Sequence, residues 1–213
     1  MKRILLVSDE KTPQDNGFIT DSAKYGLADG LYNIPNLRAA LARQGDFEIV
    51  TCHHSELLSA PERDYTVLSG RFQPRVLAEL DEEYRVLFDF IRANETPMLG
   101  VCAGVQLISH AFGSAIRTMD DPDGEFGFTK MTVCTQHPMA RSLEGGFTCM
   151  EMHRDIVCSV PDGFTLLAST QKCPVQMIAH NSRPIVGMQF HPELQNETHR
   201  DGEILLQNFF KLY

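Results

Sequence analysis

The segment Pro97-Met98-Leu99-Gly100-Val101-Cys102-Ala103-Gly104-Val105-Gln106-Leu107 runs an apolar, strand-like stretch directly into a helical pattern, with one cysteine between two glycines at the junction. A strand that turns into a helix without a loop leaves little room, and a Cβ at either flanking position would meet neighbouring backbone. The pattern therefore predicts a nucleophile elbow, with a helix from Ala103 to about Phe112 whose N-terminus points at the Cys102 sulfur. The helix dipole and its free N–H groups would favour a thiolate and stabilise a developing oxyanion at the same place.

The elbow constrains the rest of the chain, because it belongs at the carboxyl end of a strand in an α/β sheet. Apolar runs at 3–8, 47–52, 65–69 and 98–101 read as strands, and helical periodicity fills 31–44 and 82–93 between them. Alternation of this kind predicts a three-layer α/β fold with a mostly parallel central sheet and helices on both faces. From Phe126 onward the strand candidates crowd together, at 164–168, 175–179 and 185–190, so an additional antiparallel or mixed region is expected. Asp201 is placed as the N-cap of a closing helix. With 213 residues and 43% apolar content the chain can bury one sizeable core, which predicts a single domain over 1–213.

A nucleophilic thiol needs a base. After the apolar run Pro184-Ile185-Val186 comes Gly187-Met188-Gln189-Phe190-His191-Pro192-Glu193. In extended backbone residues two apart share a side, so His191 and Glu193 can face one way with Pro192 restricting the chain between them. Cys102 as nucleophile, His191 as base and Glu193 as its orienter make a triad.

These segments resemble the class I glutamine amidotransferases. Gly100, Cys102, Gly104 and Gln106 match that family's G-x-C-x-G-x-Q, and Phe190 to Glu193 match its F-H-P-E. Glu125-Phe126-Gly127 matches its E-x-G turn, and Met152-His153-Arg154-Asp155 its S-H-x-D. The closing segment 187–193 and Val160-Pro161-Asp162-Gly163-Phe164 are most similar to the glutaminase part of GMP synthetase. The resemblance implies a flavodoxin-like fold in which Cys102 attacks the glutamine side-chain amide. A γ-glutamyl thioester forms and is hydrolysed, and the ammonia passes to a separate synthetase. It further implies oxyanion donors at Ala103 and at Gly70, and a substrate contact from Gln106; Arg71, Met152 and His153 are expected beside the same glutamine site as further substrate contacts. No cofactor is implied.

Some positions depart from the family pattern. Ser69-Gly70-Arg71-Phe72 stands where S-G-G-P is usual, Met152 replaces a serine, and Val105 replaces a frequent histidine. The span 9–30 is longer than ordinary strand-to-helix loops and carries turn signals at Asp15-Asn16-Gly17, Tyr25-Gly26 and Asp29-Gly30. It is expected beside the active site as a lid, a specificity element or a docking surface. Two further readings stand beside the glutaminase: a stand-alone γ-glutamyl hydrolase or peptidase with the same triad, and a non-catalytic binding protein of the same fold.

A net charge of −9 without a basic stripe argues against nucleic acid and anionic membrane as partners. No apolar run has transmembrane or signal-peptide form, so a cytoplasmic protein is expected. The cysteines at 52, 102, 134, 149, 158 and 173 form no C-x-x-C pair, and the five besides Cys102 are expected reduced and mostly buried. His53 and His54 follow Cys52, and a surface or loop role is preferred for them. No metal centre is expected.

Overall fold

The protein is described from a computed structural model, which covers residues 1–19, 21–28, 31–121 and 124–213. Strands and helices alternate first as β1 (Lys2–Ser8), α1 (Asn33–Ala42), β2 (Phe47–His53), β3 (Tyr65–Leu68), α2 (Leu80–Glu83), α3 (Arg85–Ala93), β4 (Met98–Val101) and α4 (Ala103–Ala111). A strand-rich part follows: β5 (Ile116–Thr118), β6 (Glu125–Val133), β7 (Phe147–His153), β8 (Asp155–Val157), β9 (Phe164–Ser169), β10 (Met177–His180) and β11 (Ile185–Met188). The closing helix is α5 (Asp201–Leu212).

β1 shows why both sheet faces are covered. Its central side chains, Ile4 to Val7, are apolar on both sides, so neither face can meet water. Ile4 and Leu6 join one core with Leu37 and Leu41 of α1 and Leu205 and Phe209 of α5. Leu5 and Val7 join the opposite core with Leu87, Phe88 and Ile91 of α3 and Leu107 and Ile108 of α4. The strand order is β2-β1-β3-β4-β11-β10-β9-β6-β7. The block β2-β1-β3-β4-β11 is parallel, and β10, β9, β6 and β7 continue it antiparallel. β5 and β8 form a separate antiparallel pair. The expected α/β architecture, with its antiparallel extension, is what the chain adopts. Among the described residues no helix is long and apolar enough to cross a membrane.

Several local expectations are corrected. The helix expected over 82–93 is two helices, broken at Tyr84, whose φ of −107° and ψ of 14° leave the helical region. The strand expected to reach Phe190 stops at Met188, and His191 instead makes an isolated bridge to Met150 of β7. Asp201 is no N-cap: it lies inside α5, and its carboxylate accepts the Thr148 N–H at 2.8 Å, tying the helix to β7. All six cysteines are free, but Cys134 and Cys158 are exposed and Cys52 is half-buried, so burial among the five is less general than expected.

His53 and His54 are not surface residues; both are buried, with rings 4.2 Å apart. His53 caps the turn that follows β2, where Ser55 N donates to its Nδ1, and its Nε2 lies 2.8 Å from the Glu10 carbonyl oxygen. His54 packs on the Tyr84 ring at 4.7 Å. Burial, reinforced by His53, lowers the His54 pKa to about 4. A histidine held neutral by the fold takes up its proton more readily once unfolded, so stability is full above about pH 6.5 and falls as the pH drops toward 4. His54→Phe keeps the ring contact and removes the proton. Its thermal midpoint should fall less than that of the parent between pH 6.5 and 4, by about 3 °C or more, in parallel calorimetric scans.

The long connection after β1 is a packed segment. Gly17 takes a φ of 66° in the Asp15-Asn16-Gly17 turn, and its N–H donates to Asp15 Oδ1 at 2.9 Å. Ser22–Tyr25 form a 3-10 turn that ends on Gly26 at φ 71°. Ile19 and Leu27 are buried with Met150 and Leu194. The third turn signal, Asp29-Gly30, lies outside the described residues.

Candidate active site

Cys102 joins β4 to α4 at a φ of 51° and ψ of −108°, a conformation that costs a non-glycine residue on the order of 1–3 kcal/mol. The fold imposes it. The Cys102 N–H donates to Met188 O of β11 at 2.7 Å, and α4 starts at the next residue. The flanking glycines allow close approach: an ideal Cβ at Gly104 would sit 2.6 Å from the Leu68 carbonyl oxygen, and one at Gly100 would sit 2.7 Å from Gly104 C. α4 starts at Ala103, next to the thiol, and Val105 N is the first of its N–H groups to bond back, to Cys102 O at 3.1 Å; helix starts leave such first donors free for an oxyanion.

His191 and Glu193 come together in a turn after β11, not on a strand. His191 N donates to Met150 O at 2.8 Å, which fixes the ring from the β7 side, and Leu194 N closes the turn on His191 O at 3.2 Å. His191 Nδ1 is 2.6 Å from Glu193 Oε1, and both side chains are fully buried. Nε2, on the other side of the ring, has no geometric hydrogen-bond partner among the described residues. Burial disfavours charge on this imidazole, yet Glu193 and Cys102 outweigh it and raise the His191 pKa well above the ordinary value. The Phe72 ring covers the imidazole at 5.3 Å.

The turn after β3 closes over both groups. A Cβ added at Gly70 would lie 2.9 Å from His191 Cε1 and 3.2 Å from Cys102 Cβ, so a side chain there would sit on the triad. Gly70 O accepts from Ser69 Oγ at 2.8 Å and from Asn33 Nδ2 at 2.9 Å. The same Asn33 amide donates to the buried Glu10 carboxylate at 2.8 Å, so the connection after β1 holds the turn in place.

Cys102 opens into a cavity of about 410 Å³ lined by Ala103, Gln106, Arg71, Arg75, Met152 and His153, among others. Each of the four residues assigned to substrate contact thus reaches the cavity wall. Gln106 Nε2 donates to Asp155 O at 2.8 Å and to Gln189 Oε1 at 3.1 Å, while its Oε1 accepts from Arg75. Arg71 is turned partly away: its guanidinium lies 3.1 Å from Glu83 Oε1 and donates to Tyr84 Oη. His153 Nε2 lies 2.9 Å from Glu151 Oε2. Burial opposes charge on His153, but Glu125 and Glu151 outweigh it and raise its pKa to about 10.

Three contributors were not visible in the sequence. Gln189, fully buried, points Nε2 at Cys102 Sγ at 3.8 Å, and its place beside the F-H-P-E segment was the only available signal. Arg75 and Asp9 pair at 3.3 Å behind the cavity. Burial pushes the Asp9 carboxyl up, and Arg75, Tyr84 and Arg71 pull it back only in part. Nothing in the local sequence pairs residues 66 positions apart.

An orienting carboxylate acts by holding one imidazole tautomer and stabilising its charged form. Glu193→Gln keeps the shape and loses that function. Turnover should fall about 10²- to 10⁴-fold with KM changed little, measured as steady-state glutamate release.

The glutamine amidotransferase class-I family model matches residues 32–212. The chain is 37% identical over 146 residues to a glutamine-hydrolyzing GMP synthase subunit of Thermoplasma acidophilum, covering 68% of this chain and 70% of that one. The corresponding subunit of Methanosarcina mazei is 32% identical over 157 residues, covering 74% and 77%. A crystal structure from T. acidophilum attributed to a GMP synthase subunit superposes with a TM-score of 0.72 at 32% identity, covering 100% of this chain and 94% of the other. A glutamine amidotransferase from Thermotoga maritima shares the fold at a TM-score of 0.74 and 17% identity, covering 100% and 98%. With the elbow, the buried His191–Glu193 pair and this match over most of its length, the chain belongs to the class I glutamine amidotransferases.

Proposed function

We propose that this chain is the glutaminase component of a GMP synthase-type amidotransferase. The observation that carries the reading is the junction of Cys102 with the His191–Glu193 pair, 2.6 Å apart and fully buried, at the mouth of a cavity large enough for glutamine. His191 takes the Cys102 proton as sulfur attacks the side-chain carbonyl. The tetrahedral oxyanion is met by the N–H of Ala103 and by the Gly70 turn. His191 then returns the proton to the leaving amine, and ammonia departs. Water, activated by the same imidazole, hydrolyses the γ-glutamyl thioester to glutamate. Gln106, Met152 and His153 hold the amino-acid end, and Arg71 closes the wall above them.

The relatives named as glutamine-hydrolyzing GMP synthase subunits support ammonia transfer to a separate synthetase subunit, and a cytoplasmic location goes with that reading. Purified chain should release glutamate from glutamine, and GMP formation from glutamine should appear when a GMP synthase synthetase subunit is added. Glutamate release without any transfer of ammonia to that subunit would move the assignment to the stand-alone γ-glutamyl hydrolase. Failure to release glutamate in the presence of the subunit would remove the glutaminase reading.

A further inference from the structure

Behind the cavity wall lies a buried group of side chains that the triad does not use. Glu125 begins β6 and His153 ends β7, directly opposite each other in the register of the two strands. Cys173 approaches from the connection between β9 and β10. The three are 6%, 5% and 0% exposed, and one donor atom from each lies within 4.8 Å of the others. Glu151, two residues before His153 and on the same face of β7, is fully buried as a fourth member. Its Oε2 is 2.9 Å from His153 Nε2, and Glu125 Oε2 is 3.4 Å from the same nitrogen.

Buried polar atoms are normally hydrogen-bonded, and leaving one without a partner is costly. Five of the twelve such atoms among the described residues belong to this group. Among the described residues, neither Glu151 oxygen, nor His153 Nδ1, nor Oε1 of the adjoining Gln176 has a geometric hydrogen-bond partner. The Glu151–His153 contact at 2.9 Å is a close charge pair.

We propose that Glu125, His153 and Cys173 form a binding site for a zinc-like divalent cation, with Glu151 buried beside His153. The donor set is the argument for the class of metal: thiolate and imidazole suit zinc, whereas magnesium and calcium prefer oxygen alone. Tetrahedral zinc with bonds of about 2.0–2.3 Å places its ligand atoms about 3.3–3.8 Å apart, and side-chain rotations of about 1 Å close the present separations to that. The Glu125 carboxylate and the Cys173 thiolate offset the dipositive charge once His153 is neutral. Ligation needs a neutral imidazole and a thiolate, so binding releases protons and weakens in acid. Glu125, Glu151, Cys102 and His191 are the titratable groups electrostatically coupled to this cluster. Because His153 also lines the Cys102 cavity, occupancy would alter glutamine turnover; that consequence rests on the glutaminase reading, whereas binding does not.

Cobalt(II) and zinc(II) titrations of the full chain carrying Cys102→Ala test the site without the active-site thiol. One equivalent of cobalt is expected to bind with a thiolate-to-cobalt charge-transfer band, and zinc should displace it. Cys173→Ser in that background should abolish the band, and Glu125→Gln should weaken zinc binding at least about tenfold with the circular dichroism spectrum retained. Absence of stoichiometric binding overturns the proposal. So does a charge-transfer band or zinc affinity that both variants leave unchanged.

Discussion

Cys102→Ala should lower glutamine hydrolysis by on the order of 10⁴-fold or more, measured as glutamate release over long incubations, because the covalent route is lost whole. The oxyanion donors and the His191–Glu193 pair would remain, but with no sulfur to activate they have little to act on. A second consequence follows from the backbone. At φ 51° and ψ −108° any residue with a Cβ is strained, and only glycine is free of that cost. Cys102→Gly should therefore be as inactive as Cys102→Ala yet more stable than it by about 1 kcal/mol or more, more than the few tenths by which an N-cap ordinarily favours glycine. Urea midpoints of the two variants decide this. An alanine variant equal to or more stable than the glycine variant would mean that the elbow is not strained.

Gly104→Ala is expected to destabilise the fold strongly. The new Cβ would meet the Leu68 carbonyl oxygen at 2.6 Å and the Leu68 carbonyl carbon at 3.1 Å, and both atoms belong to the backbone of β3. A flexible side chain could swing aside; a central strand cannot, because β3 is bonded to β1 on one side and to β4 on the other. The helix must lift off the sheet, separating Leu107 and Ile108 from their core. A loss of about 3 kcal/mol or more is expected, which lowers the thermal midpoint by about 6–12 °C for a chain of this size. Turnover should fall with it, since lifting α4 carries the Ala103 N–H away from the sulfur. Gly113→Ala is the control, because an added Cβ there meets nothing within 4 Å; its φ of 92° leaves only a backbone penalty, and activity should persist.

The sequence was most legible where one segment carries both structure and chemistry. The elbow was readable because glycine, cysteine and glycine at fixed spacing allow few backbone solutions, and the helix after it ends within a residue of its expected end. The alternation of apolar runs and helical periods likewise indicated the sheet and its two covered faces. The residues of the candidate triad could be named from the sequence, but the geometry that joins two of them could not. His191 and Glu193 share a side because a turn closed by Leu194 and a bridge to Met150 hold them, and no strand carries them. That bridge depends on β7, a strand far earlier in the chain.

Pairings between distant elements were illegible for the same reason. Apolar periodicity reports whether a face is buried, but not what it is buried against. His53 and His54 look like solvent-facing neighbours until the 3-10 turn after β2 and the Tyr84 ring bury them. Asp201 looks like a cap until Thr148 of β7 claims its carboxylate. Glu125, Glu151, His153 and Cys173 have no metal-type spacing, and they converge only because β6 and β7 pair in one register and the β9–β10 connection folds over them. The sequence by itself determined most local conformations, the layered α/β class and the candidates for nucleophile, base and orienter, because these depend on short-range sterics and on the period of apolar burial. The tertiary structure alone decided the strand order, the partners of the buried charges and the second cluster behind the cavity, because those depend on which distant segments share a low-dielectric interior.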